Sequence, residues 1–515
     1  MSSLNLKDAK AHPLDNDQIS TALWIAAASF ISGLVILALL GRLGLPVFLT
    51  YAGALLLFNI AIAVLAWRGR TMTGRSFFFA DKMGSSATTG FGGGADFAGG
   101  AVLLVFASLT TQGQALWLMA VFLGMTLMSV FFAHSLYRET VSTVTGYFAI
   151  RYPGQGAGMA SVPVVLAMLL LLAIAEFGVS LAVLERLAVD NSNTGGWMIL
   201  GLAVLPALVG GWFSILLVNA VLALWTVICV LIPTFFIALL PGVLSSDDAS
   251  LIAGSELTPL PPLTGLSFQD SGGWAAYLSV CVLAAGFSVL PQSFSRMATV
   301  KRPAATMEHI GWAALFVFVV VAVSGLSIAL IMEGADEQRA GLLSNNPMLH
   351  VLPYLALLFI AFNALSTTIL AFSSAAVRSF RRSRREDPGE RSMFGTRLLC
   401  VLVAVGIGLS LNGTSVPIWE ALRSALLLGA GGLFVPLLAT TQTRRLPAWA
   451  VGLSILIGTS VTAYGMIAPY VNSLPVLISS PYISAMVSIV LSALIVLAGH
   501  GSVRMGNSRA TAQSA

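Results

Sequence analysis

The stretch "GSSATTGFGGGADFAGGAVLL", residues 84–104, decides the reading of the fold. It is long enough to cross a bilayer, yet it holds seven glycines and an aspartate, Asp96. An aspartate near the centre of a membrane helix costs about 2.5 to 3.5 kcal/mol on insertion scales, so it is expected to face a partner, a cavity or an ion. Gly90, Gly92 and Ala95 fit the G-x-G-x-x-A spacing of a dinucleotide loop, but no strand precedes them and no soluble helix follows. The glycines can instead serve close helix packing. In "GGGAD" (92–96) weak helix formers adjoin a carboxylate, which predicts backbone that leaves helical geometry and exposes carbonyl oxygens. Carbonyls beside a carboxylate suit a hard cation.

The rest of the chain is built for lipid. Hydrophobic residues make up 57% and charged residues 9%, whereas soluble chains carry about 25% charged residues. Apolar windows of roughly 20 residues recur throughout, which predicts one all-α polytopic membrane domain. About fourteen spans are expected, beginning near residues 20, 46, 84, 113, 158, 195, 214, 273, 309, 350, 395, 417, 448 and 480. With the N-terminus in the cytoplasm, inner segments such as "RGRTMTGR" (68–75), "RMATVKR" (296–302) and "RSFRRSRREDPGER" (378–391) hold all but Arg42, Arg186, Arg339 and Arg423 of the 26 Lys and Arg. The 242–272 loop has four acids, Asp247, Asp248, Glu256 and Asp270, and is expected outside. The basic run beside a span end is a topology signal, so no nucleic-acid partner is expected. The first apolar stretch (21–40) lacks a clear cleavage site and reads as an uncleaved span. Cys229, Cys281 and Cys400 are dispersed in apolar segments and form neither a disulfide framework nor a metal cluster.

"VLAAGFSVLPQSFSR" (282–296) predicts a second interrupted span, because Pro291 removes a backbone donor and clashes with the preceding turn. If the two spans before residue 84 are accessory, the interrupted helices are the first and sixth of a ten-helix core, as when two five-helix inverted repeats meet at a midplane site. In "FNALSTTILAFSSA" (362–375), Ser366 and Thr367 share the helical face of Asn363. Their hydroxyls either line a cation site or bond back to the preceding turn. Glu176, in "LLAIAEFGVSLAVL" (171–184), is either a polar interhelical contact or a proton-coupling or solute-facing group.

These segments resemble the solute:sodium symporter family over residues 68–500. "FFFADKMG" (77–84) with the glycine-rich stretch is similar to that family's first core helix, "TVTGYFAIRY" (143–152) to its cytoplasmic T-x-x-[DE]-Y-x-x-x-R-[YF] motif, and "GGWFSILLVNAVL" (210–222) to the start of its fifth core helix. Gly146 stands in place of the motif's acid. "LPQSFSRMATV" (290–300), "SNNPMLHV" (344–351) and "TTILA" (367–371) resemble the cation/acetate symporter branch, with Gln292 in place of a histidine.

The resemblance implies a LeuT-like 5+5 inverted-repeat core with two accessory helices at each end. The divisions are a cytoplasmic tail (1–18), two accessory helices (19–82), repeat one (83–241), the external loop (242–272), repeat two (273–440), two further accessory helices (441–500) and a cytoplasmic tail (501–515). It also implies a sodium site on backbone oxygens of Gly94, Phe97 and Asn363 and hydroxyls of Ser366 and Thr367, with Asp96 nearby. Many members carry an acid where Asn219 stands, which puts a second sodium in doubt. Glu176 stands where the acetate branch has glutamine.

The expected function is secondary active symport in the plasma (inner) membrane, with both termini cytoplasmic. Uptake of a small organic solute, a monocarboxylate such as acetate, would be coupled to a sodium or proton gradient, with no cofactor and no covalent chemistry. Phe91, Gly92, Trp274, Gly286 and Gln292 are the expected solute-pocket residues. Two other readings stay open: a transporter-like sensor signalling through a partner protein, and a symporter of the same family for an amino acid or sugar. An enzyme is not expected, since the five histidines lie in tails or near span ends.

Overall fold

The computed structural model describes residues 16–513 apart from 110, 136–140, 153–154, 188–191, 239–273, 333–346, 380–388, 412–417, 442–445 and 469–479. Among the described residues the chain is helical, with one isolated β-bridge between Gly84 and Val300. The acidic 242–272 loop, most of the 378–391 basic run and residues 344–346 of "SNNPMLHV" lie outside these residues.

Eleven helices are long and apolar enough to cross a membrane, and two further spans are bent pairs. With the shorter apolar helix Thr194–Gly210, they match the expected fourteen, each beginning within about a turn and a half of its sequence position. The protein is a polytopic all-α membrane protein. Burial sorts the spans into core and periphery. In Val351–Ser379, 89% of the most apolar window is buried inside the protein, against 22% in Trp24–Arg42. The central Pro347–Ser379 helix packs against Gln155–Arg186 and Trp212–Ala238.

Both interrupted spans exist, but the first breaks later than expected. Ser86–Phe97 is one continuous helix, with the Ser85 hydroxyl accepting from the Thr88 N–H at its start. The break is at Ala98–Gly99, followed by Gly100–Ser108 at a bend of 52°. Residues 92–96 therefore stay helical. Their glycines give room to neighbours instead: a methyl at Gly90 would lie 2.6 Å from the His309 carbonyl oxygen, and one at Gly94 would lie 2.3 Å from the Phe316 ring. Close approach, not unwinding, is what this run supplies. The second span breaks where Pro291 predicts. The bend between Ala276–Phe287 and Pro291–Met297 is 43°, and Pro291 takes the first helical position, where its missing N–H costs nothing.

The two broken spans are joined at one end. The Gly84 N–H donates to the Thr299 carbonyl and the Lys301 N–H donates to the Gly84 carbonyl, each at 3.2 Å. Just before this junction, Gly74–Phe79 ends in three successive left-handed residues, Ala80, Asp81 and Lys82, with φ of 48°, 51° and 56°. Such a turn is unfavourable for non-glycine residues, so its surroundings must hold it. The Ser76 hydroxyl donates to Asp81, and two arginines cover the phenylalanines: Arg397 lies 5.3 Å from the Phe77 ring centre, and Arg378 5.5 Å from those of Phe78 and Phe79. Arg397 Nη2 also donates to the Thr71 carbonyl at 3.0 Å.

Candidate functional site

Asp96 ends the third turn of its helix and points at the second broken span. Arg296 meets it there. Arg296 Nε donates to Asp96 Oδ2 at 2.9 Å and Nη2 to Oδ1 at 3.1 Å, and both side chains are 0% exposed. This two-pronged geometry is the strong form of a carboxylate contact. The Ser293 hydroxyl adds a bond to Oδ2 at 3.4 Å. Opposite charges removed from water together escape most of the penalty that either would bear alone, whereas removing one partner strands the other.

The sequence expectation for Arg296 is thereby corrected. It was counted with the inner basic run 296–302, but it is fully buried in the half-helix Pro291–Met297, while Lys301 and Arg302 are exposed. The glycines make room for it. A methyl at Gly92 would be 3.1 Å from Arg296 Nη1, and one at Gly93 would be 3.0 Å from Arg296 Cδ and 2.8 Å from His309 Cε1. The glycine run opens a slot into which the arginine side chain lies. The Trp212 ring, 6.0 Å from the guanidinium carbon, closes another side.

The guanidinium reaches the oxygen-rich face of the central helix as well. Arg296 Nη2 donates to Thr367 Oγ1 at 2.9 Å, and Thr367 Oγ1 donates to the Asn363 carbonyl at 2.8 Å. Ser366 Oγ donates to that same carbonyl at 3.1 Å. With its amide oxygen turned toward the guanidinium, Asn219 accepts from Arg296 Nη2 at 2.9 Å and donates to the Ile215 carbonyl at 3.2 Å. Gly94, whose carbonyl accepts the Ala98 N–H at 2.8 Å, and Phe97 complete the set named for sodium. Asp96, Asn363 and Thr367 are thus brought together around Arg296, which bonds directly to Asp96 and Thr367 and reaches Asn363 through Thr367.

Glu176 stands on the other side of the break. Its Oε2 accepts from the Ala101 N–H at 3.4 Å, at the start of Gly100–Ser108, and a methyl at Gly99 would lie 2.1 Å from Oε1. Its carboxylate therefore sits at the positive end of this half-helix. Asp96, Glu176, Gln292 and Thr368, with apolar residues including Leu172 and Phe287, line a cavity of about 10 Å³. That is near the lower limit for one water. Gln292 Oε1 is buried there and has no hydrogen-bond partner.

The remaining expected pocket residues are scattered. Phe91 stacks obliquely on Trp312, with ring centres 5.5 Å apart. Gly286 lies against the backbone of Leu426, and Trp274 is 90% exposed at the far end of its half-helix. His309 lies near the start of the Ala304–Val323 span, as expected, but it is buried beside Gly93, and neither ring nitrogen has a hydrogen-bond partner. Sequence reasoning missed Arg296 and His309. A basic residue five positions after a helix-breaking proline, inside an apolar half-helix, was the available signal for Arg296. Among the described residues no group of three or more His, Cys, Asp and Glu is placed to hold a metal.

No family model matches the chain, and no curated protein matches it. Solved structures do. A Na+-coupled sialic acid symporter, in a substrate-bound outward-open state, aligns over 87% of this chain and 95% of its own, with a TM-score of 0.65 and 13% identity. A manganese transporter from Eremococcus coleocola aligns over 84% and 95%, with a TM-score of 0.43 and 14% identity. At the level of fold, the chain is a polytopic membrane protein built like the sialic acid symporter.

Proposed function

We propose that this protein is a secondary active transporter that moves a small organic solute together with a cation, sodium or a proton, by alternating access. The single observation that carries the reading is the Asp96–Arg296 pair, held in the protein interior between two broken spans. Charged residues buried within membrane spans mark solute and ion pathways, and discontinuous helices are where transporters bind their cargo. The spans support a 5+5 core with paired accessory helices, since the bent pairs are the third and the eighth of fourteen. The motifs near Asp96 and Arg296 support membership of the solute:sodium symporter family and a short monocarboxylate, acetate among them, as solute.

The test is uptake into proteoliposomes. Labelled short carboxylates, amino acids and sugars are offered under imposed sodium or proton gradients, and counterflow is measured without a gradient. Accumulation of one solute class against its own gradient is expected. Saturable binding with no counterflow for any of them would identify a sensor and remove the transporter reading.

A further inference from the structure

The Asp96–Arg296 pair leaves one buried acid without a counter-charge. Arg296 commits Nε and Nη2 to Asp96 and shares Nη2 with Thr367. Among the described residues no cation pairs with Glu176, which is buried and receives the Ala101 N–H. The groups facing it can be named. Asp96 comes from the first half-helix, Gln292 and the engaged Arg296 from Pro291–Met297, neutral Thr368 from the central helix, and Leu422 and Leu426 from Ile418–Leu428. His309 lies beyond Arg296, against Gly93. Since Asp96 and Arg296 cancel, the net charge of the cavity is that of Glu176.

Two features point to an exchangeable proton there. An acid out of water without a cation is held more cheaply as the neutral form. Gln292 Oε1, 3% exposed by residue and lining the same cavity, accepts from nothing in the protein, so it calls for a donor that a carboxylic acid or a water can supply. Glu176 also occupies the N-terminal end of Gly100–Ser108, a place suited to an anion.

We infer that Glu176 carries the coupling ion as a proton, and that its protonation opens the N-terminal end of Gly100–Ser108 to an anionic solute. This rests on the transporter reading and fixes its cation. Ionised Glu176 repels an incoming carboxylate from the half-helix end. Neutral Glu176 does not, so proton and anion bind with positive coupling, and by reciprocity each raises the affinity for the other. One proton and one monocarboxylate then move as a neutral pair. Arg296 is the fixed cation beside Asp96 and Thr367, the place where a sodium ion would otherwise be needed.

Two measurements on the full-length protein decide this. Infrared difference spectra of the detergent-purified protein between acid and neutral pH are expected to show a protonated-carboxyl band that is lost in Glu176→Gln, shifted in Glu176→Asp and kept in Glu308→Gln, which alters an exposed acid paired with Arg302. The same band in Glu176→Gln overturns the proposal. In proteoliposomes, labelled acetate, pyruvate and lactate are compared under an inside-alkaline pH gradient, under a sodium gradient, and in counterflow. The ratio of pH-driven accumulation to counterflow is expected to fall at least about tenfold in Glu176→Gln. Accumulation in the wild type driven by sodium and not by pH also overturns it. Absent counterflow in the wild type removes the transporter reading instead, and the infrared band still decides whether Glu176 is the protonated group.

Discussion

Arg296 and Asp96, 200 residues apart in sequence, meet through two hydrogen bonds of 2.9 and 3.1 Å with no solvent at either side chain. The contact ties the first half-helix of one broken span, Ser86–Phe97, to the second half-helix of the other, Pro291–Met297.

Removing either member should be far more harmful than removing both. Asp96→Asn and Arg296→Gln each leave a buried charge or an unmatched donor set, at a cost of about 3 to 5 kcal/mol, while a double replacement by apolar residues recovers much of that stability. Unfolding in detergent of the two single variants and the double variant measures the coupling. Additive losses would show that the pair contributes nothing as a pair. Cation-driven uptake should fall strongly in all three.

The hydroxyl of Thr367 is engaged by Arg296 and by Asn363, whereas that of Ser366 touches only the Asn363 carbonyl. Thr367→Val should therefore destabilise by about 1 to 3 kcal/mol, because a charged donor loses its acceptor. Ser366→Ala should cost less, and Thr367→Ser should restore the loss. Thermal unfolding ranks the three, and equal effects at 366 and 367 would contradict the geometry.

Glycines of the first broken span should divide sharply from glycines elsewhere. A methyl at Gly90 meets the His309 backbone oxygen and Trp312 Cβ, while Gly201 and Gly311, both in helices, have nothing within 4 Å. Gly90→Ala is expected to cost about 1 to 3 kcal/mol through overpacking. Gly201→Ala and Gly311→Ala should be neutral or stabilise by roughly 0.5 to 1 kcal/mol. Melting temperatures of the three variants check the contrast.

Arg397 should anchor the segment before the first broken span. Arg397→Ala removes the bond to the Thr71 carbonyl and the cover over Phe77, and lysine cannot replace a planar fork that stacks and donates together. Hydrogen exchange across residues 70–84 is expected to rise in both Arg397→Ala and Arg397→Lys. Unaltered exchange would mean that the left-handed turn at Ala80–Lys82 is held by Ser76 and its other neighbours alone.

The spans were legible because length and apolarity are one-dimensional properties, and the second break was legible because proline acts on its own backbone. The first break was misplaced for a physical reason. Glycine allows unwinding and close approach alike, and only the neighbours, His309, Arg296 and Phe316, decide which. Those neighbours lie about 200 residues away in sequence, beyond the reach of any local pattern. Asp96 could be recognised as needing a partner, but Arg296 beside Lys301 and Arg302 looked like one more cytoplasmic charge. Glu176 was visible as an anomaly in an apolar run, while its place across the Ala98–Gly99 break required the fold.

The paired backbone bonds of Gly84 with Thr299 and Lys301 act as a fulcrum. Any rocking that parts the two broken spans at that rim must rupture both bonds, whereas a tilt at the opposite rim can leave them intact.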